Sequence, residues 1–244
     1  MARVWDRYLT ESDKVHLATS SDRRVGFGSK PALLLIDLYR AVFGDKPEPL
    51  MDAINTWPSS CGMAGWNALP HIQQLLSASR AAQIPIIHIT MLSDSGMLSW
   101  YEAAHRDTAG QRRRGGHETS AAAKDRKKRA GDIIDEVAPL PGEILLKKTA
   151  PSAFWGTPLA GHLNLHGIDT LIVAGESTSG CVRASVVEAA AYRYRVQVVE
   201  ECVFDRHEAT HALNLFDMHQ KYADVIASSE AISWLERYKR PEKG

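Results

Sequence analysis

The chain has 244 residues, of which 44% are hydrophobic and 24% are charged, and its formal net charge at pH 7 is zero. These proportions are ordinary for a water-soluble globular protein, and the length suits a single α/β domain. Zero net charge excludes the long-range positive field with which a protein gathers nucleic acid or an anionic membrane. We therefore expect one domain over residues 1–244, with neither nucleic acid nor membrane as a partner.

The N-terminus has no apolar run that would serve as a signal-peptide core, and no segment approaches the roughly 18 apolar residues of a membrane span. A cytoplasmic protein is expected. The three cysteines, Cys61, Cys181 and Cys202, are an odd number and include no C-x-x-C pair. This pattern indicates neither a disulfide framework nor a cysteine zinc site, so each cysteine is judged on its surroundings.

The first predicted strand is the apolar run from Pro31 to Asp37, which ends in a carboxylate. Continuous rather than alternating apolarity is typical of a strand covered on both faces, which indicates a parallel sheet between helix layers. Similar runs predict five more strands: Ile84 to Thr90, Ile144 to Lys148, Thr170 to Gly175, Val196 to Glu201 and Asp224 to Ser228.

Helical patterns lie between these strands: Asn67 to Gln83, Thr157 to His166, Val182 to Arg195, His207 to His219 and Glu230 to Tyr238. Alternating strands and helices indicate repeated right-handed βαβ units. The expected fold is a three-layer α/β/α Rossmann-like sandwich with a six-stranded, mainly parallel sheet. In such sheets ligands bind beyond the carboxyl ends of the strands.

The least regular stretch runs from Met91 to Gly131 and contains two basic runs within residues 106–129. We interpret it as a solvated or subunit-contacting excursion between a strand and the next helix. A nucleic-acid patch is the alternative, and the absence of aromatic residues within the basic runs disfavours it.

The strand from Thr170 to Gly175 leads through a short turn to Cys181, and a helix is predicted from Val182. A helix N-terminus stabilises a thiolate, so a lowered thiol pKa is expected for Cys181. Backbone N–H groups of the same turn, from Cys181 and from Ser177 or nearby, are candidates for an oxyanion hole. The alternative is a cysteine that serves as a small buried apolar residue.

Asp37 and Lys148 end two other predicted strands on the same sheet. Taken alone, the carboxylate suits a helix N-cap or an ion pair, and the lysine suits solvent. Together with Cys181 they supply a nucleophile, a base and a cation, the groups that acyl transfer needs. A serine hydrolase is disfavoured, because the sequence around Ser177 lacks the second glycine of the G-x-S-x-G elbow.

Five segments carry a resemblance to a known family: Trp5-Asp-Arg-Tyr-Leu-Thr, Val25-Gly-Phe-Gly, Leu33-Leu-Leu-Ile-Asp37, Lys148-Thr-Ala-Pro-Ser-Ala-Phe-Trp-Gly-Thr157 and Gly175-Glu-Ser-Thr-Ser-Gly-Cys-Val-Arg183. They resemble the isochorismatase-like cysteine hydrolases, in the branch of N-carbamoylsarcosine, maleamate and ureide amidohydrolases. The resemblance implies a Cys181, Asp37 and Lys148 triad. It also implies a cis peptide between Glu176 and Ser177 that turns the Ser177 N–H toward the oxyanion hole.

The resemblance implies an amidohydrolase that releases ammonia from the terminal carboxamide of a small carbamoyl or ureido compound through a thioester. A maleamate-type half-amide hydrolase is the first alternative. An isochorismatase that cleaves a vinyl ether, which needs no thiol, a non-catalytic binding protein and a redox-sensing thiol are weaker ones. The resemblance further implies a homo-oligomer, with a tetramer favoured, and residues 1–30 as an extension that packs on the domain or on a neighbouring subunit.

Arg206 matches the position where relatives that hydrolyse carbamoyl amino acids hold the substrate carboxylate. A bidentate guanidinium suits that task, and the alternative is a structural pair with Asp205 or Asp217. Three aromatic residues are candidates for the pocket wall or for plain core: Tyr39, Phe154 and Trp155.

No metal and no other cofactor is expected. Metal-dependent members of the superfamily, the nicotinamidases, have an Asp and paired His residues after the first strand, whereas here only His71 lies in that region, within a predicted helix. His88 is interpreted as a structural histidine. Cys61 and Cys202 lack a helix-start context and are interpreted as inert.

Overall fold

Six parallel strands form one sheet in the computed structural model, which describes residues 3–19, 24–91 and 121–239. The strands are β1 (Pro31–Ile36), β2 (Ile86–Met91), β3 (Ile144–Lys148), β4 (Thr170–Glu176), β5 (Arg195–Phe204) and β6 (Asp224–Ile226). Their order across the sheet is β3-β2-β1-β4-β5-β6. The strand order reverses between β1 and β4, and this switch point is where an open α/β sheet leaves a crevice for a ligand.

The described helices are α1 (Glu11–Ala18), α2 (Arg40–Phe43), α3 (Leu50–Thr56), α4 (Met63–Ala81), α5 (Ala121–Arg129), α6 (Leu159–Leu165), α7 (Arg183–Ala191), α8 (Glu208–Lys221) and α9 (Ser228–Arg237). Short 3-10 turns occur at Asp6–Tyr8 and Asp135–Val137.

Alternate residues of β1 face two separate helix layers. Leu33 and Leu35 pack in a core with α4 and α9, whereas Leu34 and Ile36 pack in a second core with α6, α7 and α8. All six residues of β1 are buried, which explains why the strand is apolar throughout. The three-layer α/β/α sandwich expected from the sequence is confirmed.

Several boundaries and short helices differ from the expectation. Strand β5 extends to Phe204, three residues past the predicted end, and α7 begins at Arg183. Helices α1, α2, α3 and α5 were not predicted. A four-residue helix such as α2 is too short to show a 3.6-residue period, while α5, Ala-rich and basic, has the composition of a good helix. Residues 92–120 of the irregular stretch from Met91 to Gly131, which include the first basic run, lie outside the described residues, and the second basic run lies in α5.

The described part of the N-terminal extension packs on its own domain. Trp5 is buried against Phe216 and His219. The Arg3 guanidinium donates to the Val225 carbonyl on the edge strand β6. These contacts cover an edge that would otherwise expose unpaired backbone groups. Contact of this extension with a neighbouring subunit stays a prediction. No described helix is both long enough and apolar enough to cross a membrane.

Candidate active site

Three side chains from the carboxyl ends of three strands meet beside the switch point. Lys148, the last residue of β3, places Nζ 2.8 Å from Oδ2 of Asp37, which directly follows β1. The same Nζ lies 3.2 Å from Sγ of Cys181, which follows β4. The structure thus brings together the three side chains that the sequence predicted as nucleophile, base and cation on separate strand ends.

The backbone around Asp37 is shaped to bring β1 and β4 together. Asp37 has a φ of 57°, unusual for a residue with a side chain, and its N–H donates to Ile89 O at 3.0 Å. Gly175 in β4 has a φ of 124°, and a Cβ there would lie 1.9 Å from Ile36 O. Only glycine permits this approach, so Gly175 is required for β4 to lie against the end of β1.

Cys181 lies in a five-residue turn, Thr178–Val182, that separates β4 from α7. The peptide bond between Glu176 and Ser177 is cis. The Ser177 N–H makes no hydrogen bond to any residue that the structure describes. Gly180 has non-helical torsion angles, and a Cβ at this position would lie 2.4 Å from Ser177 Oγ. A side chain at position 180 would therefore require the Ser177 hydroxyl to move.

Two side chains from the β5 and α8 region hold the outer side of this turn. Asp205 Oδ2 accepts hydrogen bonds from the Ser179 N–H at 2.9 Å and the Ser179 Oγ at 2.6 Å. Thr178 Oγ1 lies 2.8 Å from His211 Nδ1. Sequence reasoning did not identify the contacts by which Asp205 and His211 hold the turn that carries Cys181, called the nucleophile turn below for the role predicted for Cys181.

Asp37 is 0% exposed and Lys148 is 5% exposed, so burial strongly affects the pKa values of both groups. Burial raises the pKa of Asp37, and the nearby Lys148 cation opposes this rise without cancelling it. Burial by itself lowers the pKa of Lys148, but its interactions with Asp37 and with the Cys181 sulfur outweigh burial and raise it. Lys148 is therefore a cation at neutral pH, and Asp37 holds a proton more strongly than a solvated carboxyl does.

The expectation of a lowered thiol pKa for Cys181 is wrong for the free protein. Burial raises the pKa of the thiol, and the neighbouring Asp37 carboxylate raises it further, while Lys148 acts in the opposite direction with a smaller effect. The helix that was expected to stabilise a thiolate begins only at Arg183. Cys181 is thus a neutral thiol at rest.

Arg206 forms neither of the aspartate pairs that the sequence allowed. Its Nε donates to Ser60 O at 3.0 Å, and its Nη2 donates to Ser59 O. Arg206 also lines a cavity of about 400 Å³ between β5 and α4, and none of the three meeting side chains lines that cavity. Asp217 instead pairs with Arg183 and Lys221.

The three aromatic candidates occupy different places. Phe154 is 4% exposed and stacks on the exposed ring of Tyr192, and Tyr39 is also buried. Trp155 is 61% exposed. Their contact with a substrate stays a prediction.

Sequence reasoning named Glu176 only as a partner in the cis peptide, but its carboxyl is a further buried acid at the end of β4. Glu176 is 6% exposed, and Cys61 Sγ donates a hydrogen bond to its Oε1 at 3.4 Å. Burial, and secondly the charge of Asp37, raises the pKa of Glu176 to about 8. The sequence signal was available, because Glu176, like Asp37, is a carboxylate that ends an apolar run.

The other two cysteines are buried, and burial is the main cause that raises the pKa of both the Cys61 and Cys202 thiols. Within the described ranges no group of three or more His, Cys, Asp or Glu side chains is arranged to hold a metal ion. His71 lies in α4, and His88 Nε2 lies 2.9 Å from Glu143 Oε2.

Known proteins share the sequence pattern and the fold of this chain. Residues 31–230 match the model of the isochorismatase domain. The chain is 34% identical to maleamate amidohydrolase of Pseudomonas putida, over 87% of this chain and 90% of that one. It is 28% identical to N-carbamoylsarcosine amidase of Arthrobacter sp., over 97% of this chain and 83% of that one.

A solved structure, that of N-carbamoylsarcosine amidase from Thermoplasma acidophilum, has the same fold. The TM-score is 0.58 at 24% identity, with 82% of this chain and 96% of that chain covered. The chain therefore belongs to the isochorismatase family, and within it to the amidohydrolases, the hydrolases of linear amide C–N bonds.

Proposed function

We propose that this protein hydrolyses the terminal carboxamide of a small carbamoyl, ureido or half-amide compound through a thioester on Cys181 and releases ammonia. The observation that carries the proposal is the position of Lys148 Nζ, within 3.2 Å of Cys181 Sγ and 2.8 Å of Asp37 Oδ2. One cation thereby holds a base and a neutral thiol side by side, which is the arrangement that nucleophilic acyl transfer requires.

In the first half-reaction, Asp37 takes the thiol proton as Sγ of Cys181 attacks the carboxamide carbon. Because the thiol is neutral at rest, proton transfer accompanies attack, and the raised pKa of Asp37 suits a general base. The N–H groups of Ser177 and Cys181 are proposed to hold the oxyanion. Lys148 remains charged and balances the negative charge as it passes from oxygen to sulfur.

The intermediate then collapses with loss of ammonia, which takes its proton from Asp37. Asp37, again a carboxylate, removes a proton from water, and the resulting hydroxide attacks the thioester carbonyl. The C–S bond breaks, the sulfur recovers a proton, and the acid product leaves. One amide bond and one water are consumed for each ammonia released.

Arg206 is proposed to bind a carboxylate at the far end of the substrate. Its Nη1 makes no hydrogen bond to a described residue, so one edge of the guanidinium has donors for a ligand. Maleamate and N-carbamoylsarcosine, the compounds named in two relatives, both combine a carboxamide with a carboxylate. A ureide without a carboxylate, such as biuret or triuret, is the second candidate class.

The test is ammonia release by the purified protein from maleamate, N-carbamoylsarcosine, other carbamoyl amino acids, biuret and triuret. We expect release from at least one of them, abolished by Cys181→Ala and retained by Cys202→Ala, which removes a buried thiol outside the site. Absence of release from every compound would contradict the proposal. In that case cleavage of isochorismate would indicate the vinyl-ether alternative, and its absence a binding protein.

We also propose that the protein forms a homo-oligomer, with a tetramer favoured by its resemblance to the family. Light scattering of the purified protein measures the mass directly. A particle of one chain's 26.9 kDa would contradict this proposal.

A further inference from the structure

Glu176 lies between the reacting residues and Arg206. Gly175 of the central strand β4 pairs with Ile36 of β1, so Asp37 flanks Glu176 on one side. On the other side Glu176 itself pairs with Phe204 of β5, two residues before Arg206. The proposed function places the carboxamide at Cys181 and the carboxylate at Arg206, so Glu176 lies between the two ends of such a substrate.

One short segment connects Glu176 with Arg206. Residues 59–61 give two carbonyl groups to the Arg206 guanidinium and the Cys61 thiol to the Glu176 carboxyl. The segment is anchored in turn by the Cys61 N–H, which donates to Val42 O at 2.9 Å. The carboxyl and the guanidinium are therefore held in a fixed relation, although no ion pair forms between them.

The mechanism above gives the Glu176 carboxyl no task, yet its burial is costly. An ionised carboxylate that is buried without an ion-pair partner loses solvation free energy on the order of several kcal/mol. Buried carboxyls of this kind therefore tend to stay protonated. No described cation forms an ion pair with Glu176. A neutral acid donates a hydrogen bond to an anion, whereas an ionised one repels it.

We propose that Glu176 is a specificity-determining residue, which admits an anionic substrate group beside Arg206 while it is a neutral acid and excludes that group once it is ionised. The proposal rests on the proposed function in placing the substrate carboxylate at Arg206. It assigns to this chain a preference for anionic substrates that weakens with rising pH.

The charges around Glu176 set the pH at which the preference changes. Burial and the Asp37 charge raise its pKa to about 8, Arg206 and the hydrogen bond from Cys61 oppose the rise, and Asp205 adds to it. Cys181 also faces this carboxyl. Since the pKa is raised, the neutral form prevails below pH 8. Binding of an anion that needs this proton weakens by about tenfold for each pH unit above that value.

The test compares two alkylating reagents at Cys181: iodoacetate, which carries a carboxylate, and iodoacetamide, which is neutral. Both reagents lose iodide to the same sulfur, so the ratio of their rates cancels the ionisation of the thiol. For the wild-type protein, with the Glu176 pKa at about 8, we expect the iodoacetate to iodoacetamide ratio to fall by about 25-fold between pH 7.5 and pH 9.5. Mass spectrometry of the Cys181 peptide confines the measurement to this site.

The Glu176→Gln variant keeps the size and the hydrogen-bond donor but cannot ionise. We expect its rate ratio to be constant over the same pH range, near the wild-type value at low pH. Glu230→Gln, which neutralises a surface carboxylate on α9, serves as the matched control and should retain the wild-type fall. The pH dependence of the wild-type rate ratio is measured without any variant, so it tests the proposal even if Glu176→Gln does not fold.

A flat wild-type ratio would overturn the proposal, and so would a Glu176→Gln variant that keeps the wild-type slope, since another carboxylate would then be responsible. Alkylation requires no substrate. A falling wild-type ratio in a protein that hydrolyses none of the carboxamides would therefore refute the proposed function and leave the role of Glu176 standing. Hydrolysis of a carboxamide combined with a flat wild-type ratio would support the proposed function and refute the role of Glu176.

Discussion

Lys148 Nζ lies 2.8 Å from Oδ2 of Asp37, and both side chains are almost completely buried. In this setting each charge depends on the other, because neither is solvated. The same nitrogen contacts Cys181 Sγ at 3.2 Å. Lys148 therefore does not simply pair with the base. Its positive charge can stabilise a negative charge on the Asp37 carboxylate before the proton transfer and on the Cys181 sulfur after it.

Replacement of Lys148 by Met should lower kcat/KM for the carboxamide substrate by at least about 100-fold, within the range measured for loss of acid–base machinery. The physical reason is that Asp37 without its cation protonates in the buried site and no longer accepts the thiol proton. Steady-state ammonia release measures the effect. Lys147→Met is the matched control, because Lys147 is the exposed neighbour on the same strand. Equal losses in the two variants would refute the role of Lys148.

Asp205 should act on the reaction through the nucleophile turn. Asp205→Asn weakens two hydrogen bonds to Ser179, and we expect a fall in kcat of about tenfold with about 1 kcal/mol lost from the free energy of unfolding. A double-mutant cycle with Ser179→Ala, measured by kcat and by urea unfolding, tests the connection. If the effects of the two substitutions on kcat simply add, Asp205 does not act through Ser179.

Arg206→Lys should raise KM for maleamate or a carbamoyl amino acid by about tenfold and leave kcat nearly unchanged, because lysine keeps the charge but loses the planar fork. A neutral ureide should show no such change. Arg183→Lys, which alters an arginine paired with Asp217, is the control. An unchanged KM for every carboxylate substrate would remove Arg206 from substrate binding.

The sequence predicted the parts of the site that lie on regular elements. The apolar runs that end at Asp37 and Lys148, and the turn that leads to Cys181, were sufficient to locate the three side chains at one edge of a parallel sheet. The prediction of a lowered pKa for the Cys181 thiol was wrong, because this pKa depends on burial and on the Asp37 charge, which come from tertiary packing. The environment of Glu176 was likewise hidden, since Cys61 reaches it from a segment 115 positions away.

A separate prediction concerns stability at the sheet edge. Glu143 accepts hydrogen bonds from Arg80 Nε at 2.7 Å and lies 2.9 Å from His88 Nε2. Burial opposes ionisation of Glu143, but the hydrogen bonds from Arg80, the Leu140 N–H and His88 prevail and lower its pKa to about 2. Glu143→Gln should therefore reduce the free energy of unfolding at pH 7 by about 2 kcal/mol.

The sign of the pH dependence follows from the direction of this shift. A carboxyl with a lowered pKa stabilises the fold fully above its unfolded pKa, here 4.5, and the stabilisation is lost as the pH falls toward 2. Urea unfolding of the wild type and Glu143→Gln at several pH values measures the difference. A difference that stays constant from pH 7 to pH 3 would show that the charge of Glu143 is not its source.

The most direct test of the central claim is to trap the thioester. An acid quench during turnover, followed by mass spectrometry, should show the Cys181 peptide heavier by the acyl part of the substrate, and hydroxylamine should remove the added mass. The Cys181→Ala variant should form no adduct and release no ammonia while it unfolds in urea like the wild type. Ammonia release that persists in Cys181→Ala would contradict the account.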